Sequence, residues 1–573
     1  MAAFSPSESP AITVKEVDLS GFVPNVQSTT GAFVGNFRWG PAKKATLVDT
    51  EATLAEKFGS PTTTGAVDFL SAAQFLRYSS AMFVVRELTS AAKNATSSST
   101  VVTNVNNRDH WDEVKSAFGA DSGDTNVGAW IGKWAGALGN SLKVDICTAA
   151  GFAAWAYKGE FDAAPGTSAY ASARGGAADE CHIVVVDEDG DISGTVGSVL
   201  ERFAFVSMAS DAKAADGTNN YAADVVNSTS EYVWLAHWDG DLSTMSNAGT
   251  AAVGTSFGNP SAAISKSLTG GVDSAALTTA EVATGFDLYQ DTDTIQVDFL
   301  IAPGMANASD QATVVNDLAG IAGTTRKDCI VVTSPDRAAV VNNATPVTSS
   351  VTTAAGFNSS SYVVVDNNYL KVYDKFNDQY IFIPAASTTA GVMAATDANA
   401  APWFSPAGQR RGQYFGVTAL AYSPTKAERD TLYKAGLNPV ANIPGQGILL
   451  FGDKTFLNRP SAFDRVNVRR LFLVMERAIA AAARNVMFEF NDEFTRAEFV
   501  NIVEPFLREI QGRRGITDFK VVCDATNNGA AVIDRNEFIA NIFVKPARSI
   551  NYVTLNFVAV RTGVDFEEVA GTV

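Results

Sequence analysis

The chain has 573 residues, of which 46% are hydrophobic and 18% are charged. These proportions exclude a disordered chain, and the length predicts about three or four domains. The formal charge of −18 is uneven, because residues 401–573 carry 21 Lys and Arg against 18 Asp and Glu, a net of +3, whereas residues 1–400 carry 22 against 43, a net of −21. So acidic a first part disfavours nucleic acid as a direct partner.

Cysteine usage and hydropathy indicate a protein that folds in a cytoplasm. The four cysteines lie far apart and form no C-x-x-C pair, so neither a disulfide framework nor a zinc ribbon is expected. The N-terminal residues show no basic stretch followed by an apolar one, so no secretion signal is predicted. Since no run approaches the ~18 apolar residues of a membrane span, we expect no membrane insertion.

The first hundred residues begin with a small, polar segment and continue with strands and a helix. Residues 1–20 are interpreted as an N-terminal arm that contains a short strand with Ile12, Val14 and Val17. Apolar residues at helical spacing predict a helix over roughly 67–78. The Ser- and Thr-rich stretch 90–105 is expected to be a loop or a reduced insertion.

The middle of the chain alternates strand and helix patterns. The segment IVVVDEDGDISGTV predicts a β-hairpin whose tight turn is Asp189-Gly190. Two apolar strands, in QVDFLIAP and DCIVVTSP, flank a helix predicted around 309–319, which is typical of an α/β layer.

The last 170 residues or so show capping patterns followed by strand patterns. SAFD at 461–464 and TRAE at 495–498 match the capping box and predict two helices, each with an apolar stripe. Antiparallel strands are expected near 519–524, 537–544 and 549–560. The last of these, SINYVTLNFVAV, places Val553, Leu555 and Phe557 on one face.

These patterns together predict an α+β multidomain fold. It would contain a mixed α/β C-terminal domain with antiparallel strands, β-rich inserted outer domains and extended N- and C-terminal arms. The expected boundaries are an arm at 1–20, middle and outer domains at 21–90 with 106–345, a connecting region at 346–400, an inner domain at 401–560 and an arm at 561–573.

The search for catalytic patterns finds none that is complete. GTSFG at 254–258 matches G-x-S-x-G, but the histidines His110, His182 and His237 all precede it, whereas an α/β-hydrolase places its histidine after the serine. DEDGD lacks the glycine and glutamate spacing of an EF-hand, and no G-x-x-x-x-G-K-[ST] motif is present. We therefore expect no enzymatic activity, no cofactor and no metal.

Long segments resemble one family, the contractile tail sheath proteins of T-even-type bacteriophages. The resemblance covers most of the chain and is carried by VQSTTGAFVGNFRWGPA, FLRYSSAMFVVRE, WFSPAGQRRGQ, PSAFDRVNVRRLF, FEFNDEFTR and VVCDATNNGAAVIDRNEFIANIFVKPARSINYVTLNFVA. It departs from the larger family members near residues 90–110, where they carry an extra outward-facing domain.

The resemblance implies a structural subunit of a contractile phage tail. Such subunits form stacked hexameric rings around a tail tube and contract to drive the tube through the host envelope for genome delivery. The implied partners are further copies of the chain, the tail tube protein, and baseplate and tail terminator proteins. The implied location is the virion tail, after assembly in the host cytoplasm.

The resemblance also implies which residues join the subunits. Residues 10–20 and 561–573 would be arms that add strands to a neighbouring sheet. The implied subunit-interface residues are Ile12, Val14, Val17, Val553, Leu555, Phe557, Val564 and Phe566. The implied contacts with the tube or another subunit are Arg410, Arg411, Arg465, Arg469, Arg470, Arg513 and Arg514.

Two other interpretations remain open at this point. The chain could be the sheath of a related contractile injection system, either a tailocin or a secretion-type device. From another class, it could be a secreted surface-binding or hydrolytic protein, as the Ala, Ser, Thr and Gly content and GTSFG suggest. The latter predicts a secretion signal and a catalytic triad, and the sequence shows neither pattern.

Overall fold

The computed structural model describes residues 29–98, 104–118, 128–238 and 240–550. The chain divides into two compact units. Of the described residues, the larger unit holds 29–402 and 406–481, and the smaller unit holds 403–405 and 482–550.

The strands are β1 (Gly31–Gly35), β2 (Thr46–Val48), β3 (Met82–Arg86), β4 (Asn94–Thr96), β5 (Trp130–Ala135), β6 (Leu142–Cys147), β7 (Glu180–Asp187), β8 (Ser198–Ser207), β9 (Val233–Leu235), β10 (Ile264–Ser267), β11 (Phe299–Ile301), β12 (Ile330–Thr333), β13 (Val363–Asp366), β14 (Tyr369–Asp374), β15 (Gln379–Pro384), β16 (Ala419–Leu420), β17 (Leu437–Asn438), β18 (Val440–Ile443), β19 (Gly447–Leu450), β20 (Ile516–Val522) and β21 (Asn541–Pro546).

The α-helices are α1 (Glu51–Phe58), α2 (Ala66–Leu76), α3 (Arg108–Val114), α4 (Ala169–Ser172), α5 (Ala222–Thr229), α6 (Thr279–Asp287), α7 (Ala308–Gly320), α8 (Arg337–Val340), α9 (Pro346–Ala354), α10 (Ala386–Asn399), α11 (Lys426–Lys434), α12 (Val466–Ala483), α13 (Glu493–Gly512) and α14 (Ala530–Ile533).

A seven-stranded sheet organises the larger unit, in the order β17-β13-β12-β11-β1-β3-β2. Its neighbouring strands run parallel except for the edge pair β3–β2. Strands β11 (FLI) and β12 (IVVT) are buried at every position, because helices cover both faces of the sheet. Alternate residues face opposite layers: Phe299 packs in the core that contains α2 and α10, whereas Leu300 packs in the core that contains α6 and α7. This arrangement confirms the predicted mixture of helices and sheets.

The segment between β3 and β11 forms two further sheets, β4-β5-β9 and β10-β6-β7-β8. All their strand pairs are antiparallel. Here this β-rich segment, residues 94–272, is called the insertion. Strand β4 lies within the stretch 90–105, predicted to be a loop or a reduced insertion, and the fully buried side chain of Asn94 accepts from the Val105 N–H and donates to the Val105 carbonyl. Part of this stretch is therefore buried in the core, where the Asn94 side chain pairs with the backbone of Val105.

The predicted hairpin exists as β7–β8, but its turn differs from the prediction. Ten residues, 188–197, connect the strands instead of a two-residue turn. The buried Asp187 carboxylate shapes this connection by accepting bonds from the backbone N–H groups of Gly190, Ile192 and Ser193. The Asp187 side chain, just before the loop, thus sets the loop conformation, whereas the prediction considered only the turn preference of Asp189-Gly190.

The larger unit draws on residues from several of the predicted domains. Residues 346–400, predicted as a connecting region, supply β13 and α10 to the core of the larger unit. Residues 406–481 also lie in that unit, so the predicted domain 401–560 is divided near residue 481. The reason is that short, fully apolar strands pair across long sequence distances, which local patterns do not reveal.

Arg86 fixes the insertion to the α/β part of the larger unit. Its side chain is 1% exposed and donates to the carbonyl oxygens of Phe37 and Gly40 at 2.8 Å each and to that of Ala135, in β5. Burial lowers the pKa of Arg86 to about 9, so the guanidinium stays protonated at neutral pH. One buried cation therefore joins the loop after β1 to the insertion.

Candidate assembly surface

Helix α13 is the centre of the smaller unit. The Asp492 carboxylate caps it by accepting a bond of 2.9 Å from the backbone N–H of Thr495. The helix continues through Pro505, and its buried residues include Phe499, Ile502, Val503, Leu507 and Ile510. The predicted capping box at 495–498 is therefore wrong as a helix start, because Asp492 makes an equivalent bond one turn earlier.

Strands β20 and β21 form an antiparallel hairpin, with Phe519 opposite Val544 and Lys520 opposite Phe543. Strand β20 packs on α13, whereas Phe543 on β21 is 60% exposed. Within the described residues, neither strand pairs with a third one. Both outer edges thus present backbone N–H and C=O groups, and a two-stranded sheet gains stability when a strand is added.

The connection between β20 and β21 is held by Asn528, which is 2% exposed. Its side chain donates to the carbonyl of Ile539 at 2.8 Å and accepts from the N–H of the same residue at 2.9 Å. Asn491, just before α13, donates to the carbonyl of Glu537 at 2.8 Å. These amide side chains fix the hairpin connection beside the start of the helix.

Trp403 closes the other end of α13. Its indole N–H donates to the Arg513 carbonyl at 3.1 Å, and the Arg513 guanidinium lies 5.0 Å from the ring centroid. Gly515 packs against the indole so closely that a Cβ there would lie 3.1 Å from Trp403 and 2.6 Å from Ile510. The absence of a side chain at Gly515 is therefore required for this contact.

The segment before and at the start of α13 exposes large apolar side chains. They have exposed fractions of 57%, 101%, 83% and 75% for Met487, Phe488, Phe490 and Phe494, respectively. Four such residues within eight positions are unusual for a surface that faces only water. The sequence interpretation did not single them out, although the alternation of aromatic and acidic residues in FEFNDEF was an available signal.

Three predicted contact arginines bond within their own unit, at α12 and just before it. Arg465 donates to Asp453 at 3.0 Å, and Arg469, 7% exposed, donates to the Ser361 hydroxyl at 2.6 Å. Arg470, 4% exposed, makes a bidentate pair with Asp397. All three side chains therefore make bonds within the larger unit.

Arg477, which the sequence interpretation did not select, extends this set of bonds. It lies two helical turns after Arg470 and pairs with Asp298 at 2.6 Å. It also donates to the carbonyl of Asp328 at 2.8 Å. Because Asp298 precedes β11 and Asp328 precedes β12, these bonds attach α12 to one end of the parallel strands. The seven-residue spacing places Arg477 on the same helical face as Arg470, and this could have indicated that the two arginines act together.

The remaining predicted arginines are more accessible. Arg410, Arg513 and Arg514 are exposed and Arg411 is half-buried. Burial, together with the adjacent Arg410 cation, lowers the pKa of Arg411, which marks a place where two like charges meet. These residues lie in two units: Arg410 and Arg411 in the larger, Arg513 and Arg514 in the smaller.

The predicted arm and strand residues lie outside the described ranges. They are Ile12, Val14, Val17, Val553, Leu555, Phe557, Val564 and Phe566. Of the predicted receiving strands, those near 519–524 and 537–544 correspond to β20 and β21.

No helix within the described ranges is both long and apolar enough to cross a membrane. The same ranges contain no group of three or more His, Cys, Asp or Glu side chains that could hold a metal ion.

Two solved structures have a similar fold. A sheath tail protein of Listeria innocua superimposes with a TM-score of 0.56 at 13% identity, covering 91% of this chain and 93% of that one. A sheath tail protein of Desulfitobacterium hafniense gives 0.52 at 15% identity, covering 90% and 94%. These likenesses show that the fold is shared.

Sequence relatives identify the family. Residues 281–456 match the phage tail sheath protein central domain, and residues 458–559 match the phage tail sheath C-terminal domain. The tail sheath protein of Vibrio phage KVP40 is 44% identical over 304 residues, 50% of this chain and 45% of that protein. The tail sheath protein of Enterobacteria phage T4 is 32% identical over 660 aligned positions, covering 98% of this chain and 99% of that one. The chain therefore belongs to the contractile tail sheath proteins of T-even-type bacteriophages.

Proposed function

We propose that this sheath subunit joins its neighbours through the smaller unit, by addition of strands to the β20–β21 hairpin. The observation that carries the proposal is the pair of outer edges, which pair with no other strand of the described residues. Backbone hydrogen bonds from an added strand would satisfy these groups. The strands come from residues 10–20 and 561–573 of neighbouring copies, the N- and C-terminal arms, and residues 549–560 extend the receiving sheet.

Strand exchange of this kind produces the assembly expected of a contractile sheath. Each copy gives its two arms to neighbouring copies and receives arms from others, so the contact is head-to-tail and propagates. The subunits build stacked hexameric rings around the tail tube, between baseplate and tail terminator proteins, and assembly takes place in the host cytoplasm.

Contraction then drives the tube through the host envelope without nucleotide hydrolysis. The backbone ladders hold the subunits together while side-chain contacts between them are exchanged, so that one chain occupies two packings. The exposed Arg410 and the half-buried Arg411 contact the tube or a neighbouring copy, where an acidic surface would offset the repulsion between their like charges.

The experiment compares the full chain with a chain that lacks residues 561–573. The full chain should form tubes at high concentration, visible by negative-stain microscopy, and the truncated chain should remain folded and monomeric. Val564→Asp combined with Phe566→Asp should reproduce the truncation, whereas Glu567→Gln, in the same segment, should still assemble. Normal tubes from the truncated chain would exclude a role for the C-terminal arm.

A further inference from the structure

The smaller unit carries an aromatic and acidic surface at the start of α13. Phe488, Phe490 and Phe494 are exposed by three quarters or more, and the exposed carboxylates Glu489 and Glu493 lie between them. Groups of exposed aromatic side chains mark protein contact sites, and the two carboxylates indicate that the contacting surface is positively charged. This surface is called the aromatic–acidic end.

The backbone at Phe488 supports a role beyond folding. Its φ of 71° lies in the left-handed region, which costs a residue with a side chain about 1 kcal/mol or more. The ring is fully exposed, so among the residues that the structure describes no packing of the ring offsets that cost. Strained residues of this kind concentrate at functional sites, and here the conformation directs an aromatic ring into solvent.

The opposite end of α13 is basic. Arg508, Arg513 and Arg514 are exposed at or near its last turn. Arg548 lies beside them, because the N–H of Ala547 donates to the Gly515 carbonyl at 3.1 Å. This surface is called the basic end. Since α13 has 20 residues, the two ends are separated by about 30 Å along one rigid helix.

We propose that the aromatic–acidic end of one copy docks on the basic end of the next copy. The proposal rests on the proposed function and names a side-chain contact within it. Guanidinium groups stack on aromatic rings and pair with carboxylates, so the arginines of the basic end match both components of the opposite surface. Both halves of the contact are present on every chain, and no other partner is required.

The geometry of the contact suits a sheath. The two surfaces differ, so the contact can be heterologous, and when it repeats head to tail it extends from copy to copy as a sheath requires. The glutamate–arginine pairs already present at the basic end, Arg508–Glu504 and Arg513–Glu509, are exposed. Such exposed pairs contribute little, so exchanging them for an intersubunit contact costs little.

The experiment is a charge swap in the full chain, with the critical concentration for tube formation measured by sedimentation. Glu489→Lys with Glu493→Lys should raise that concentration about tenfold or more, and so should Arg513→Glu with Arg514→Glu. The chain carrying all four substitutions should assemble within about threefold of the wild-type concentration, because complementary charges again meet between copies.

A second variant removes the aromatic ring without harming the fold. Phe488→Gly relieves the left-handed backbone, so the unfolding midpoint of the monomer should not fall, while the critical concentration should rise about tenfold. Val196→Ser, at a 74% exposed apolar residue of the larger unit, is the control and should change neither quantity.

The outcomes separate this proposal from the proposed function. If the wild-type chain forms no tubes, the proposed function itself fails. If it does form tubes and the four-substitution chain loses more assembly than either pair alone, the docking contact is refuted. If the charge variants form tubes normally alone but not on the tail tube, the surface binds the tube, which also overturns docking between copies.

Discussion

Replacement of Arg86 by methionine tests what holds the insertion to the α/β part of the larger unit. The guanidinium makes close bonds to the carbonyl oxygens of Phe37, Gly40 and Ala135, and it is buried. Methionine keeps most of the volume and removes every donor. The substitution therefore isolates the hydrogen bonds from the packing.

Two opposing effects set the expected magnitude. Each bond from a charged donor contributes about 1.5–3 kcal/mol, so these three bonds contribute roughly 5–9 kcal/mol, and a longer fourth bond of 3.2 Å to the Arg38 carbonyl adds to them. The cost of burying the cation, which lowers the pKa of Arg86 to about 9, opposes this contribution and would be absent with methionine. The bonds outweigh the burial cost, and we expect Arg86→Met to lower the free energy of unfolding by about 3 kcal/mol.

The assay uses the uneven distribution of tryptophan. Six of the eight tryptophans lie in the insertion, so fluorescence reports its unfolding, whereas far-UV circular dichroism reports the whole chain. In the wild type the two transitions should coincide, and in Arg86→Met the fluorescence transition should come first. Arg202→Met, an exposed arginine of the insertion, is the control and should stay within about 0.5 kcal/mol. Coincident transitions in Arg86→Met with a loss below about 1 kcal/mol would refute the assigned role.

Three further predictions concern single positions. Burial raises the pKa of the Asp366 carboxyl to about 7, so the stability that its neutral form contributes is fully present below about pH 4 and is lost as the pH rises to about 7. In urea titrations across this range, the free energy of unfolding of the wild type should fall relative to that of Asp366→Asn by up to about 4 kcal/mol. Parallel curves would exclude the buried proton. Asn528→Ala should leave the backbone N–H and C=O of Ile539 unpaired and lower the free energy of unfolding by about 2–3 kcal/mol. Proteolysis between residues 523 and 540 should become faster. Unchanged cleavage there would contradict the role of Asn528 in holding the hairpin connection. Gly515→Ala should destabilise the smaller unit by about 1–3 kcal/mol, because the added Cβ would clash with Ile510. Gly512→Ala is the control: its Cβ meets open space in α13, so it should be neutral or stabilising. Equal effects of the two substitutions would refute the packing argument.

Local patterns predicted the elements whose stability is local. The helix expected over 67–78 is α2, because Phe69 and Leu70 lie on one helical face that packs in a core. The strands expected near 519–524 and 537–544 are the hairpin β20–β21, since alternation and a turn-rich connection are both visible within about thirty residues.

Features that depend on distant partners could not be predicted in the same way. Strand β13 is only four residues long and pairs with β12, more than thirty residues earlier, so no local signal marks it as a strand of the seven-stranded sheet. Similarly, Arg469 and Arg470 resemble surface charge in sequence, and only the positions of Ser361 and Asp397 show that they are buried. For the aromatic–acidic end, the alternation in FEFNDEF was visible in the sequence, but the exposure of its rings is a property of the folded chain.

Backbone amide exchange in the monomer and in assembled tubes tests the central claim most directly. If the β20–β21 hairpin receives strands from neighbouring copies, amides within 516–522 and 541–546 should exchange much more slowly in tubes than in the monomer, while buried amides of β11 and β12 stay unchanged. Equal exchange of the hairpin amides in the two states would contradict strand addition at this surface.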